Sequence, residues 1–376
     1  MKQRHGPLIA ACCALMFAYG CFLGASQTVM AAVAGDLGLD LAGMGLLVSL
    51  QFLPASFVPV WMGRLADRRG RRGVIAGFCA LFCAGLTVCA FARRPAIYGL
   101  GAVLVGAGYS VCESGCCAVM SDLGPRWEVR GINLSQALLC LGAVMTPILI
   151  RSFAIPWRQA YALCAGLYAV LFPILASVHY PPTAAARQGR AGEAGKLLRS
   201  AAFLCLLAGI LLYVGMETGF GYFIESLLSS RYDRLPLSGV SLYWLGMMLS
   251  RFVFSSLPYP VKPVLVGGFA LSAALYPALI LCRAPAPALG LCFAVGFAYG
   301  PLWSTLVAEA NARHPESAGT ASGLMSAGCG AGGILFPALT GLVAGRFSLT
   351  AAFGMISAVA VLAAVLCGAL PRRERH

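Results

Sequence analysis

Gly63-Arg-Leu-Ala-Asp67-Arg68-Arg69-Gly70-Arg71-Arg72 separates an apolar run at residues 41–62 from another at 73–92. The ten residues hold five arginines, one acid and two glycines. Both flanking runs are long enough to cross a hydrocarbon core about 30 Å thick as helices. A short cationic loop between two such runs is the pattern of a chain that crosses a membrane repeatedly. Gly63 and Gly70 let the backbone turn tightly. Asp67, set among guanidinium groups or at a neighbouring helix N-terminus, is suited to a charge-assisted latch with Arg68, Arg71 and Arg72. A solvated basic loop would account for the arginines but not for the glycines and the acid.

The rest of the chain fits that reading. Of 376 residues, 60% are hydrophobic and 11% charged, and the mean hydropathy is +0.83. Soluble domains are about 25% charged, so this composition cannot cover a water-facing surface. It excludes an ordinary soluble enzyme, a disordered chain and a nucleic-acid binder. The net charge of +14 does not reverse this, because the basic residues sit in short loops between apolar runs. Sixteen cysteines could suggest a disulfide framework, yet Cys12, Cys13, Cys79, Cys83, Cys116, Cys117 and Cys205 lie inside apolar stretches, where a thiol acts as a small hydrophobe. The Cys112-Glu113-Ser114-Gly115-Cys116-Cys117 cluster lacks the histidines and paired spacing of a zinc site. No metal and no cofactor are expected.

Apolar runs fall near 7–32, 41–62, 73–92, 95–121, 131–153, 156–178, 200–228, 238–257, 262–282, 285–310, 318–345 and 348–369. Twelve spanning helices result, because backbone groups in lipid must be paired within each segment. The first run exceeds the length of a signal-peptide core and is expected to be retained. With both termini cytoplasmic, 19 Lys and Arg residues fall on the inner side and 8 on the outer. That bias predicts an N-in, C-in topology, with Arg93-Arg94 its clearest exception.

The chain also repeats itself. Leu141-Gly-Ala-Val-Met-Thr-Pro147-Ile-Leu149 matches Ala331-Gly-Gly-Ile-Leu-Phe-Pro337-Ala-Leu339 at an offset of 190, and the same offset carries Gly106 onto Gly296. Ser49-Leu-Gln-Phe-Leu53 matches Ser241-Leu-Tyr-Trp-Leu245 at an offset of 192. The expected organisation is an all-α membrane protein of twelve helices in two pseudo-symmetric six-helix bundles, residues 1–180 and 200–376. A cytoplasmic linker at 181–199 joins them. Two parallel repeats so joined suit solute transport by rocking of one half against the other.

The 63–72 loop closely resembles the G-x-x-x-D-R-x-G-R-R signature of the major facilitator superfamily, and the resemblance implies the fold of that superfamily and a latch role for the loop. Within it, Gly106-x-Gly108, Cys112-Glu113-Ser114, Asn133-Leu-Ser-Gln136 and Tyr213-Val-Gly215 resemble strings of the fucose:proton symporter group of sugar transporters. That group carries a first-span aspartate, where this chain offers Gln27 and no acid before Asp36. The drug-antiporter branch fits less well. Its fourth-span arginine is replaced by Glu113, and its glycine-rich fifth-span motif is reduced to Gly142-x-x-x-Thr146-Pro147.

Ionisable groups within spans are costly and usually face a cavity or a partner. Glu113 precedes Asp122 by nine residues, about 13–14 Å along a helix, which sets it near mid-membrane. It is the leading candidate for proton coupling or substrate binding. Glu217 in the seventh span could complete a carboxylate pair, while Glu225 is expected nearer the outer interface. Glu309 and Asp122 fall at inner helix ends. Gln27, Gln51, Asn133 and Gln136 supply amide donors and acceptors suited to a hydroxyl-rich solute, and Asn133 and Gln136 share a helix face. Tyr109, Trp303, Tyr243, Trp244 and Tyr299 are aromatic candidates, although packing or interface anchoring is the commoner role of such residues. Arg251 aligns with a G-R element of the resembling family and is assigned to the gating set. Gly328-Cys-Gly330-Ala-Gly-Gly333 satisfies a dinucleotide-binding pattern but lies inside an apolar span without a preceding strand, so close helix packing explains it. No phosphate-binding loop is present to use ATP.

The expectation is a monomeric, non-enzymatic secondary transporter of a bacterial inner membrane, moving a sugar-like solute with protons. Export of drugs or metabolites by proton antiport is the alternative. A membrane sensor on the same fold is a third possibility, disfavoured because the chain offers no sizeable extramembrane domain.

Overall fold

The computed structural model describes residues 5–181, 193–233, 235–256 and 259–371. The side chains of Asp67 and Arg68, and most of the linker expected at 181–199, lie outside the described residues. Among the described residues there are fifteen α-helices and one short 3-10 turn. In chain order the first seven are α1 (Gly6–Asp36), α2 (Leu41–Ala55), α3 (Val58–Arg69), α4 (Arg71–Phe91), α5 (Pro95–Asp122), α6 (Pro125–Ser152) and α7 (Trp157–Ser177). The short α8 (Glu193–Leu197) precedes α9 (Ala201–Ser229), α10 (Gly239–Ser256), α11 (Val261–Leu281), α12 (Pro285–Tyr299), α13 (Leu302–Arg313), α14 (Ala318–Arg346) and α15 (Leu349–Gly368). Ten segments are long and apolar enough to cross a membrane, and α2 and α10 are shorter apolar helices. Together they make the expected twelve spans.

Local chemistry explains the boundaries. Pro95, Pro125 and Pro285 open their helices, where the missing N–H costs nothing. Gly70 (φ 89°) and Gly124 (φ 96°) take left-handed conformations in the turns from α3 to α4 and from α5 to α6. The second span breaks at Ser56–Phe57, between Pro54 and Pro59, and the tenth breaks at Gly300–Pro301. Proline cannot continue the helical ladder at these points.

The chain forms two compact units. One comprises residues 1–39 and 50–186, the other residues 40–49 and 187–376. In the first unit α1 packs on α6, and α4 packs on α5 and α7. In the second, α9 packs on α14, α10 on α12 and α11 on α15. The start of α2 belongs to the second unit, where Gly45 meets the Pro337 carbonyl and the Ala338 N–H donates to Ser49 Oγ at 3.1 Å.

The internal repeat reappears as repeated contacts. A Cβ added at Gly106 would strike the Gln51 carbonyl, and one at Gly296 would strike the Tyr243 carbonyl. Those positions are related by the offsets of 190 and 192 seen in the sequence. Gly142 against the Phe17 carbonyl and Gly332 against the Leu211 carbonyl form a second matched pair. Small residues let helix backbones meet closely in lipid, where no hydrophobic force drives them together. The core of each unit is aromatic, whereas Trp61, Phe91, Phe153, Leu281 and Phe347 are more than 70% exposed, as lipid-facing side chains are.

Charges tie the helix ends. Arg71 at the start of α4 forms a two-point ion pair with Asp122 at the end of α5, one of its bonds measuring 3.2 Å. Their side chains are only 12% and 4% exposed. Arg158 caps the end of α4 by donating to the Ala90 and Ala92 carbonyls, at 3.2 and 2.6 Å. Arg231 does the same for α11 through the Leu279 and Ile280 carbonyls, and also donates to Thr350 Oγ1 at 2.9 Å. Lys262 and Arg313 donate to the Leu370 and Pro371 carbonyls beyond α15. Orphan carbonyls of this kind are what helix C-termini leave behind. Glu225 has a related task, accepting from Ser238 Oγ and, at 3.2 Å, from the Val240 N–H at the start of α10.

Gly106→Val and Gly296→Val should each lower the melting temperature of purified protein by several degrees, overpacking costing about 1–3 kcal/mol. Gly77→Ala, where no described atom lies within 4 Å of an added Cβ, should cause no loss. In a double-mutant cycle, Arg71→Gln and Asp122→Asn should each be destabilising, by up to about 3–5 kcal/mol for a broken buried pair. The double variant should lose clearly less than the sum of the two; additive losses would show that the pair is not coupled.

Candidate functional site

The first unit gathers a polar and aromatic group along α5. Gly106 brings the α2 backbone at Gln51 against α5. One turn further on, Tyr109 stacks on Tyr19 of α1, with ring centroids 4.8 Å apart and planes within 10°. Phe52 and Phe82 meet the Tyr109 ring at 6.3 and 6.4 Å. Glu113 is four residues past Tyr109, so both lie on one stripe of α5. It is half-buried, and its charge reaches the Cys117 thiol one turn beyond. Gln27 on α1 and Gln51 on α2 are 3% and 6% exposed, which is unusual for amides and marks them as groups held at a defined place.

The second unit has its own ionic and aromatic group. Glu217 and Arg251, on α9 and α10, both act electrostatically on the hydroxyls of Tyr213 and Tyr243. Those two tyrosines are fully buried, and among the described residues no group stands at full hydrogen-bond geometry to their hydroxyls. The Tyr299 ring lies 5.5 Å from that of Tyr213 and 6.1 Å from that of Tyr243. Its hydroxyl is 2.5 Å from that of Tyr276. Tyr213 and Tyr243 thus share an acid and a guanidinium, and Tyr299 links them to Tyr276, an arrangement able to bind a polar or charged solute or to move a proton.

The remaining residues singled out in the sequence are spread more widely. Asn133 is exposed on α6 while Gln136, three residues on, is half-buried. Trp303 is 42% exposed on α13. Arg251, assigned to the gating set, acts on the same two tyrosine hydroxyls as Glu217. In the latch loop Gly63 is within α3 and Gly70 forms the turn, Arg71 pairs with Asp122, and Arg72 is exposed. Glu309 holds Arg313 at 2.7 Å within α13. Among the described residues, no group of three or more His, Cys, Asp or Glu is placed to hold a metal.

Sequence reasoning missed Tyr19, Tyr213 as a site residue, and Tyr276. Tyr213 had a usable signal, since it precedes Glu217 by four residues and so shares its helix face. The pairing of Tyr19 with Tyr109 had none, because it joins two helices distant in sequence.

Similarity to known proteins agrees with this architecture. The chain is 24% identical over 177 residues to the multidrug resistance protein MdtL of Escherichia coli O6:K15:H31, covering 46% of this chain and 45% of that protein. It is 32% identical over 99 residues to a gentisate transporter of Corynebacterium glutamicum, covering 26% and 22%. The matched stretch thus spans under half the length of these curated relatives. Among solved structures, a mutant of the nucleoside transporter NupG superposes with a TM-score of 0.83 at 16% identity, over 97% of this chain and 100% of that one. A bacterial homologue of the human lysosomal transporter Spinster, inward-facing and occupied, gives 0.80 at 14% identity, over 98% and 97%. These likenesses concern the fold. The sequence profile of the Major Facilitator Superfamily matches residues 10–325, and the chain belongs to that superfamily.

Proposed function

We propose that the protein is a secondary active transporter of a small, polar, sugar-like solute, driven by proton symport and working by alternating access. The observation that carries this reading is that each unit holds a carboxylate within a span, Glu113 in α5 and Glu217 in α9, beside tyrosine rings. A carboxylate in a span that faces a polar group is suited to proton exchange. The stacked Tyr19–Tyr109 pair and the buried amides Gln27 and Gln51 suit a ring bearing hydroxyls. In this reading Glu113 is the coupling acid, and Glu217 with Arg251 completes the charge set. Asn133, Gln136 and Trp303 are secondary contacts, and the Gly63–Arg72 loop with Asp67 and Arg68 is the latch. The moving bodies are residues 1–180 and 200–376, joined by a cytoplasmic linker at 181–199. The protein acts as a monomer without enzymatic activity, in a bacterial inner membrane with both termini cytoplasmic. The strings Cys112-Glu113-Ser114 in α5 and Asn133-Leu-Ser-Gln136 in α6, which resemble the fucose:proton symporter group, support the sugar reading.

The similarity to MdtL favours a second reading, proton-driven export of drugs or metabolites. Bulk pH separates the two readings. Adding a transported sugar to de-energised cells should alkalinise the medium under symport, whereas a solute exchanged for protons would acidify it. Fucose, other sugars, organic acids and amphipathic drugs are the compounds to screen by thermal shift.

Glu113→Gln should lower proton-dependent uptake at least tenfold while preserving solute exchange across a membrane without a pH gradient. Normal proton-dependent uptake by that variant would eliminate Glu113 as the coupling acid. Glu217→Gln and Arg251→Gln should each reduce solute affinity severalfold in a binding titration, and unchanged affinity in both would remove the second-unit group from the site.

A further inference from the structure

The turn between α3 and α4 borders a cavity of about 390 Å³ to which the transport reading gives no ligand. It is lined by Gly70, Arg71 and Arg72 on one side and by Val178, His179, Tyr180 and Pro181, just past the end of α7, on the other. All seven belong to the first unit. Four features of its wall favour an anion. Gly70, at φ 89°, ends α3 and begins α4, and as a glycine it brings no side chain of its own to cap that helix. The first-turn N–H groups of a 21-residue helix therefore lie beside the cavity, with the positive end of the helix dipole. Arg72 and His179 are exposed at its rim. Arg71 is held by Asp122, so this acid is already matched. Finally, the Tyr180 hydroxyl is buried and has no hydrogen-bond partner among the described residues. Burial raises the pKa of this phenol, so it remains a neutral donor across the physiological range. A buried donor without an acceptor is costly, and a ligand oxygen would supply the acceptor.

We infer that this cavity is a binding site for a phosphate group, held by Arg72, His179, the Tyr180 hydroxyl and the α4 N-terminus. Its position favours a phospholipid head group as the occupant. The cavity lies where two spans end, and α7 presents Leu163, Leu167, Val170 and Ile174 outward along one face, each more than 40% exposed. That is an apolar face along which acyl chains would run, with the head group at the level of the loop. Basic pockets at span ends are suited to anionic lipid head groups. A soluble phosphate compound is the other source of the same chemistry. Occupancy would act on the turn next to the Arg71–Asp122 pair and so on the ends of α3, α4 and α5. Such binding is independent of the identity of the transported solute.

The test uses the full-length protein in detergent with three probes: short-chain phosphatidylglycerol, the matching phosphatidylcholine, and inorganic phosphate. Native mass spectrometry counts bound lipid, and thermal shift reports on both lipid and phosphate. Wild type should retain phosphatidylglycerol in preference to phosphatidylcholine, and Arg72→Gln with His179→Gln should reduce that retention at least fivefold. Tyr180→Phe, which removes one atom and leaves packing intact, should reduce it severalfold without lowering the melting temperature of the lipid-free protein. A response of inorganic phosphate that these variants abolish, with no phosphatidylglycerol effect, would support the phosphate site and assign it to a soluble ligand. Binding of every probe that is the same in wild type and in both variants overturns the proposal.

Discussion

Helices that cross hydrocarbon can approach closely only where one of them lacks a side chain, and this constraint organises the molecule. Gly106 against the Gln51 carbonyl, and Gly296 against the Tyr243 carbonyl, bring backbones together at matched places in the two halves. Gly142 and Gly332 repeat the device on the first and last long pairs, α1 with α6 and α9 with α14. The close approach at Gly106 also fixes the height of the next two turns of α5. Tyr109 is one turn from that contact and Glu113 two turns from it. Backbone packing and side-chain chemistry are therefore linked through helix register.

A second organising fact is that charges at the ends of spans have structural partners. The cations Arg158, Arg231, Lys262 and Arg313 donate to carbonyls that the helices leave unpaired. Glu225 caps α10, and Asp122 holds Arg71. Glu113 and Glu217, by contrast, are carboxylates within spans, nine or more residues from the ends of α5 and α9. That separation supports assigning them to transport, because a purely structural charge would be expected at an end, where it caps or anchors.

The fold was legible in the sequence because spans are read from composition and length alone, which do not depend on tertiary detail. The repeat was legible because Gly106, Gly296, Gly142 and Gly332 occupy positions where an added Cβ would strike a neighbouring carbonyl. The candidate site was legible only in part. Glu113, Gln27 and Gln51 announce themselves as polar residues in apolar runs. The partner of Arg71 did not, since Asp122 is 51 residues away and Asp67 was nearer in sequence. The break at Ser56–Phe57 was concealed by the continuous apolar run at 41–62, within which Pro54 and Pro59 were the available signs.

The central claim is that Glu113 gains and loses a proton within the membrane. Infrared difference spectroscopy across a pH titration of the reconstituted protein tests it directly. The account predicts a protonated-carboxyl band that appears and disappears with pH in wild type, persists in Glu225→Gln and is missing in Glu113→Gln. The same band, undiminished in Glu113→Gln, would contradict it.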